Sequence, residues 1–201
     1  MMYKIYIKRI LDVILSLAGL VLIAPAILLI MIYIKFDSKG PVIFKQRRVG
    51  KNKKEFYIYK FRTMKIDTPR DVPTHLLENP DVYITKIGRV LRKSSFDELP
   101  QILNILKGDM SIVGPRPALW NQQDLLKERD KYGANHVQPG LTGWAQINGR
   151  DELPIIIKAK LDGEYAEKMS FTFDVKIFFS TMLSVVKGKD VKEGCQETKV
   201  L

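Results

Sequence analysis

The feature that most constrains this chain is an apolar run near its N-terminus. No charged residue occurs between Val13 and Ile34, and a run of this length can cross the hydrocarbon core of a bilayer. It is too long for the apolar part of a signal peptide, and no small-residue cleavage site closes it. A small domain could hardly enclose so continuous an apolar surface, so the run predicts a membrane segment.

Two details indicate that this segment enters and leaves the membrane on the same side. Pro25 lies near the middle of the run, where proline removes a helical hydrogen bond and bends the helix. Basic residues flank both ends, and basic flanks favour the cytoplasmic side of a membrane. A straight span would place only one of the two ends in the cytoplasm. The flanking residues are Lys4, Lys8 and Arg9 before the run and a longer series beginning at Lys35 after it. We therefore predict a re-entrant helix broken at Pro25.

Composition limits the partners of the chain. The 201 residues carry a formal net charge of +11, with a pI near 9.6, which favours nucleic acid, an anionic membrane surface or phosphorylated substrates. The single cysteine, Cys195, excludes an internal disulfide. The two histidines, His75 and His136, lie far apart without cysteine neighbours, which argues against a zinc site.

The rest of the pattern predicts an α/β fold, more closely α+β and mostly helical, in which a compact cytoplasmic domain contains a small β-hairpin. The predicted division is a membrane segment over 1–39, a catalytic domain over 40–187 and a tail over 188–201. The predicted elements are a β-hairpin over 40–64, a short amphipathic helix over 84–93, a helix from Leu119 to about Tyr132, and a core or interfacial helix over 171–187.

Residues 92–117 contain two adjacent carboxylates, Asp97 and Glu98, in a strongly basic chain. Such acids suit a site that handles phosphate and a metal. Residues 95–98 also fit a capping box with Ser95 as N-cap and Glu98 at the third helical position, and taken alone these four residues favour capping. The two interpretations are compatible, because the free N–H groups of a helix N-terminus also bind anions.

Two further groups of polar residues are candidates for ligand contact. Lys60 and Arg62 follow an aromatic strand, where a pair of surface cations is the simpler interpretation. Residues 138–154 combine three glycines with side chains suited to base, sugar or phosphate recognition, although an ordinary loop fits as well. These side chains are Trp144, Gln146, Asn148 and Arg150.

Taken together, the basic N-terminus with its proline-containing apolar helix and residues 60–64, 92–117 and 139–150 resemble the bacterial sugar transferases. These are the small monotopic polyprenyl-phosphate phosphoglycosyl transferases, and the resemblance runs from about Tyr3 to Lys187. It implies a monotopic protein of the bacterial inner membrane with its catalytic domain in the cytoplasm. It also implies transfer of a sugar-1-phosphate from a UDP-sugar to polyprenyl (undecaprenyl) phosphate, with release of UMP, as the first membrane step of glycan assembly.

The resemblance also implies residue roles. Asp97 would attack the β-phosphate and form an aspartyl–phosphosugar intermediate, while Glu98 would position or deprotonate the acceptor. Mg²⁺ would bridge phosphate oxygens beside Asp97. Arg116, held between two prolines, and Arg92 would contact phosphate. Lys60 would be a weaker third contact, and the nucleotide-side loop would contribute Gln146, Asn148 and Arg150.

Elementary chemistry is consistent with these roles. A carboxylate can act as a covalent nucleophile toward phosphorus, and the attack of one anion on another needs nearby cations. The family commonly has Ser-Pro at the helix bend, whereas this chain has Ala24-Pro25, so the geometry of that bend is open.

Two alternative functions remain open. One is a membrane-anchored binder of anionic lipid or nucleic acid without catalysis; nucleic acid is disfavoured because aromatic residues do not lie within the basic runs. The other is a UDP-sugar hydrolase. Membrane phospholipid is an expected partner, and the sugar and homodimerisation stay undetermined.

Overall fold

A single long helix, α1 (Lys8–Asp37), contains the whole apolar run and follows one π-helical turn, Tyr3–Ile7. The computed structural model describes residues 2–68, 80–149 and 153–186. In that part of the chain, this is the one helical segment long and apolar enough to cross a membrane, and almost none of its most apolar part is buried. The sequence predicts a break at Pro25, but helical structure continues through this residue. Proline removes only one helical hydrogen bond, and the neighbouring bonds keep the helix continuous.

The described remainder of the chain alternates short strands with helices. In chain order these elements are β1 (Ile43–Val49), β2 (Glu55–Phe61), α2 (Pro80–Tyr83), α3 (Lys86–Ser94), a 3₁₀ turn (Phe96–Gln101), α4 (Ile102–Lys107), β3 (Ser111–Val113), β4 (Ala118–Leu119), α5 (Gln123–Asp130), β5 (Gly140–Thr142), α6 (Trp144–Ile147), α7 (Ile155–Lys168) and α8 (Phe171–Val186). Helices dominate and the sheets are small, which confirms the predicted α+β class. The tail over 188–201 lies outside the described residues.

The predicted β-hairpin is present, and β4 extends it. β1 and β2 pair antiparallel from Ile43↔Phe61 to Val49↔Glu55, and β4 pairs with the other edge of β1. The helix predicted from Leu119 begins only at Gln123, because Ala118 and Leu119 form a strand instead. A second, two-stranded sheet joins β3 and β5 in parallel, and the sequence did not predict it.

Buried Asn104 of α4 fixes the position of the turn that precedes α4 relative to the hairpin. Its side-chain oxygen accepts a hydrogen bond from the Tyr59 N–H (3.0 Å), and its side-chain nitrogen donates to the Tyr57 carbonyl (2.8 Å). These bonds replace strand-to-strand pairing on the open edge of β2. The 3₁₀ turn Phe96–Gln101 consequently lies beside the end of β2.

Both ends of α1 contact the same domain. Near its N-terminus, Asp12 accepts hydrogen bonds from Ser111 Oγ (2.7 Å) and the Ile112 N–H (3.0 Å) of β3. Near its C-terminus, Ile34 is buried in a cluster with Phe61 of β2 and Leu91 of α3. The most exposed apolar residues of the middle of the helix, Val21 (75%) and Leu22 (80%), lie between these contacts.

Two cations predicted to flank the membrane segment make contacts with the domain. Lys8 is 7% exposed and forms an ion pair with Asp174 of α8 at 2.6 Å. Arg9 donates to the carbonyls of Ile105 (2.5 Å) and Leu106 (2.9 Å) at the C-terminal end of α4, where helical carbonyls lack partners. Both side chains therefore attach α1 to the domain.

Helix α8 has features of both predicted alternatives, a core helix and an interfacial helix. On one face Ile177 is fully buried in a cluster with Tyr165 and Val113. A second apolar face is exposed and recurs at helical spacing, as in a helix that lies at a membrane surface. Its residues are Phe171, Val175, Phe178, Phe179, Met182 and Leu183.

Candidate active site

Asp97 and Glu98 lie in the first part of the 3₁₀ turn, immediately after α3. Ser95 adopts a left-handed conformation (φ 59°) and makes no side-chain capping hydrogen bond. Its carbonyl accepts from the Glu98 N–H at 3.2 Å. The capping-box interpretation is therefore wrong. The left-handed residue ends α3, and the Glu98 carboxylate binds distant cations instead of the N-cap backbone.

Two cations from separate segments meet these carboxylates. Lys60, at the end of β2, donates to Glu98 Oε1 at 2.8 Å and lies 3.7 Å from Asp97 Oδ2. Arg116 donates through Nη2 to the same Glu98 oxygen at 2.9 Å. Asp97 is 9% exposed, and the side chains of Lys60 and Glu98 are 15% and 17% exposed. The predicted residues Lys60, Asp97, Glu98 and Arg116 are thus brought together in a largely buried cluster.

The charge state of Glu98 is set by this cluster. Burial by itself would raise the pKa of Glu98, but the charges and hydrogen bonds of Arg116 and Lys60 outweigh it and hold that pKa well below its ordinary value. Glu98 is therefore ionised at neutral pH. In this arrangement it is a fixed anion that holds both cations beside Asp97.

Two glycines of the predicted nucleotide-side loop, Gly140 and Gly143, lie directly against the backbone of Gly114. The Gly114 N–H donates to the Thr142 carbonyl (2.8 Å), and the Gly140 N–H donates to the Pro115 carbonyl (2.9 Å). A Cβ on Gly114, Gly140 or Gly143 would collide with the opposing backbone. These glycines allow β5 to lie directly against the segment that carries Arg116.

Two polar side chains of that loop donate within their own segment. Gln146 Nε2 donates to the Leu141 carbonyl (3.1 Å), and Asn148 Nδ2 donates to the Trp144 carbonyl (2.8 Å). Among the described residues, Gln146 Oε1 is buried without a hydrogen-bond partner. Arg150 lies outside the described residues. The nucleotide-side role of these three residues stays a prediction.

Arg92 and Arg62 both bind neighbouring parts of the protein. Arg92 donates through Nε to Thr63 Oγ1 at 2.9 Å and so joins α3 to the segment after β2. Arg62 was interpreted as a surface cation, but it is 6% exposed and donates through Nη2 to the Ser38 carbonyl at 2.7 Å. That contact supplies a donor where α1 ends, which explains the burial of this side chain.

The donor set beside Asp97 fits a magnesium ion that is shared with a substrate. Among residues 2–68, 80–149 and 153–186, no group of three or more His, Cys, Asp or Glu side chains could hold a metal. Mg²⁺ is commonly bound by one or two carboxylates, with substrate phosphates and water completing its octahedron. The buried carboxylate of Asp97, next to cations that suit phosphate oxygens, matches that mode of binding.

A helix long and apolar enough to cross a membrane, joined to a domain in which two adjacent carboxylates meet two cations, is the arrangement expected of an enzyme that acts on phosphate esters at a membrane. The chain belongs to the bacterial sugar transferase family, whose model matches residues 3–188. This result confirms the resemblance and the prediction of a phosphoglycosyl transferase enzyme.

Several relatives are similar over most of the chain. A protein named "Uncharacterized sugar transferase EpsL" from Bacillus subtilis (strain 168) is 42% identical, over 96% of this chain and 91% of its own. The UDP-glucose:undecaprenyl-phosphate glucose-1-phosphate transferase of Escherichia coli (strain K12) is 43% identical, over 90% of this chain. The UDP-N-acetylgalactosamine-undecaprenyl-phosphate N-acetylgalactosaminephosphotransferase of Aeromonas hydrophila is 37% identical, over 91% of this chain. The chain spans 40% and 44% of the length of these last two relatives.

Proposed function

We propose that this protein transfers a sugar-1-phosphate from a UDP-sugar to polyprenyl (undecaprenyl) phosphate, releasing UMP, at the start of membrane glycan assembly. The names of the E. coli and A. hydrophila relatives support this donor and acceptor. The observation that carries the proposal is the partly buried cluster in which Lys60 and Arg116 meet Asp97 and Glu98. A nucleophilic carboxylate beside two fixed cations suits the attack of an anion on a phosphate ester.

In the first step, an Asp97 carboxylate oxygen attacks the β-phosphorus of the UDP-sugar. The bond from that phosphorus to the oxygen bridging the two phosphates breaks, and UMP leaves with the electron pair. The sugar phosphate is then esterified to Asp97. Lys60 and Arg116 neutralise charge on the phosphate oxygens, and the arginine fork can hold two of them at once.

In the second step, an acceptor phosphate oxygen attacks the same phosphorus, and the bond to Asp97 breaks to restore the carboxylate. The product is a polyprenyl diphosphate sugar. Glu98 binds both cations in the structure, and substrate phosphate oxygens that bound those cations would leave Glu98 able to accept a proton from the acceptor. Positioning of the cations and proton acceptance are thus successive roles of one carboxylate.

A magnesium ion belongs to this proposal. Asp97 would hold the ion together with donor phosphate oxygens, and Glu98 would maintain the surrounding charge balance. When bound, the ion supplies Lewis-acid neutralisation of the diphosphate.

The proposal includes a re-entrant, monotopic course for α1 with the domain on the cytoplasmic side. Support comes from the contacts of Asp12 and Ile34, which attach the two ends of α1 to one domain, while Val21 and Leu22 between them are exposed. A helix anchored at both ends to one domain returns to the same side of the membrane. This course would bring the lipid acceptor to the domain from the membrane surface.

Cysteine labelling would test the topology. In a Cys195→Ser background, Lys4→Cys and Lys39→Cys are both expected to react with a membrane-impermeant maleimide in inside-out vesicles and to be protected in right-side-out vesicles. Val21→Cys, the matched control from the exposed middle of the helix, is expected to be protected in both. Labelling of the two ends from opposite sides would contradict the re-entrant course.

The proposed reaction is tested with membranes that contain the protein, labelled UDP-sugars and Mg²⁺. With undecaprenyl phosphate present, we expect UMP release in step with the appearance of label in the lipid. A panel of UDP-sugars would identify the sugar. UMP release without a labelled lipid would instead support the hydrolase, and neither product with any donor would contradict the proposed function.

A further inference from the structure

The backbone of residues 115–117 is held at three successive carbonyl groups. The carbonyl of Pro115 accepts from the Gly140 N–H at 2.9 Å. The carbonyl of Arg116 accepts from Arg129 Nη2 at 2.9 Å, and that of Pro117 accepts from Arg48 Nη1 at 3.0 Å. The three donors come from β5, α5 and β1, so three separate elements fix the segment that carries the site arginine.

The chemistry of this segment explains why its carbonyls are used. Pro115 and Pro117 have no N–H, so the segment cannot be fixed by a regular strand or helix ladder. Their rings restrict φ on either side of Arg116, but they do not set the position of the segment in the domain. That position depends on the hydrogen bonds that the three carbonyls accept. Because the Arg116 side chain is attached to this backbone, its guanidinium moves when the segment moves.

The donor to the Arg116 carbonyl is itself rigidly held. Arg129 is 4% exposed, and its Nε and Nη2 both donate to Asp162 Oδ2, at 2.8 and 2.6 Å. Asp162, on α7, is 1% exposed. Burial raises the pKa of Asp162, and the Arg129 charge opposes that rise. The buried ion pair therefore joins α5 to α7, and Arg129 also donates a hydrogen bond to residues 115–117.

A buried ion pair contributes little net stability compared with apolar residues of the same shape. The apolar contacts of Leu125, Leu126 and Ala159 already pack in the same region. What the pair provides is a fixed guanidinium that donates to Asp162 and to the Arg116 carbonyl at the same time. A lysine at position 129 could bind Asp162, but its single point charge does not provide the same fork.

We propose that Arg129, fixed by Asp162, is a positioning residue that sets the location of the Arg116 guanidinium for the phosphate groups of the substrates. The inference rests on the proposed phosphate-binding role of Arg116. Arg129 acts on neither Asp97 nor Glu98 directly. It acts through the backbone of Arg116, whose side chain contacts Glu98.

The test is a double-mutant cycle on UMP release with undecaprenyl phosphate. Arg129→Lys alone is expected to lower kcat by about tenfold or more, because loss of precise placement in a phosphate site is costly. In an Arg116→Lys background the same change is expected to cost at most about threefold, since a flexible ammonium depends less on the location of its backbone. Equal losses in both backgrounds would overturn the proposal.

A matched control separates positioning from general destabilisation. Leu126→Ala lies on the same helix in the apolar core and removes packing without removing a donor to Arg116. We expect it to lower Tm by at least as much as Arg129→Lys while kcat falls less than about threefold at a temperature where both variants are folded. A kcat loss as large as that of Arg129→Lys would also overturn the inference.

Two further arms keep the result decisive. If Arg129→Lys does not accumulate as a folded protein, Arg129→Leu combined with Asp162→Leu removes both charges and enters the same cycle. The wild-type and Arg116→Lys arms report on the proposed function separately. No transfer by the wild type would remove the proposed reaction, and full activity of Arg116→Lys would remove the role of Arg116. Additive losses would remove the role of Arg129 alone.

Discussion

Asp97→Asn is expected to abolish sugar-phosphate transfer, lowering UMP release by at least about a thousandfold, as for removal of other covalent nucleophiles. Asparagine has almost the shape of aspartate, but its neutral amide oxygen is a poor nucleophile toward phosphorus. The fold should persist, because Lys60 keeps its closer contact with Glu98 at 2.8 Å. Circular dichroism and thermal unfolding would verify this.

The decisive measurement is intact-mass spectrometry after quenching with the UDP-sugar alone. The wild type should gain the mass of the sugar phosphate, and Asp97→Asn should not. Glu98→Gln is the matched control one residue along. It retains Asp97, so it should still gain the mass of the sugar phosphate even if turnover slows. An adduct on Asp97→Asn, or kinetics requiring both substrates to bind before any UMP appears, would contradict the covalent mechanism.

Arg116→Lys is expected to lower kcat by about a hundredfold, the scale seen when one preorganised charge-stabilising donor is lost. The substitution keeps the charge beside Glu98 but replaces a planar fork by a single ammonium. Steady-state assays should show the loss mainly in kcat, because the second N–H group of the guanidinium fork is expected to bind a phosphate oxygen in the transition state.

Arg47→Lys provides the matched control for this substitution. Its side chain is 42% exposed and lies 3.4 Å from Glu55, so the same chemical change there should alter activity less than about twofold. Equal activity of Arg116→Lys and the wild type would show that a fork at residue 116 is not required.

Much of the fold and of the site could be predicted because their signals are local. The apolar run, the hairpin and the helix over residues 86–94 depend on periodicity and turn residues that are close in sequence. Asp97 and Glu98 were identifiable as adjacent acids in a basic chain. Their meeting with Lys60 and Arg116 could be anticipated only through the family resemblance, since those residues lie in other segments.

The errors arose where a distant contact outweighed a local pattern. Residues 95–98 have the sequence of a capping box, yet two partly buried cations bind Glu98 more strongly than the N-cap backbone could. Arg62 follows a strand like a surface cation, but the end of α1 accepts its hydrogen bond. The Arg129–Asp162 pair spans residues on two helices, and nothing local indicates that such residues meet.

The ion pair between Lys8 and Asp174 has a practical consequence for how this enzyme can be handled. Asp174 also accepts hydrogen bonds from Tyr3 (2.6 Å) and Tyr165 (2.8 Å), so two of its three partners precede the apolar run. Trimming the N-terminal segment to obtain a water-soluble fragment would leave an interior carboxylate without its counterion, at a cost of about 3–5 kcal/mol. The hydrophobic helix is thus a structural part of the catalytic body, and purification has to retain it in detergent or a lipid nanodisc.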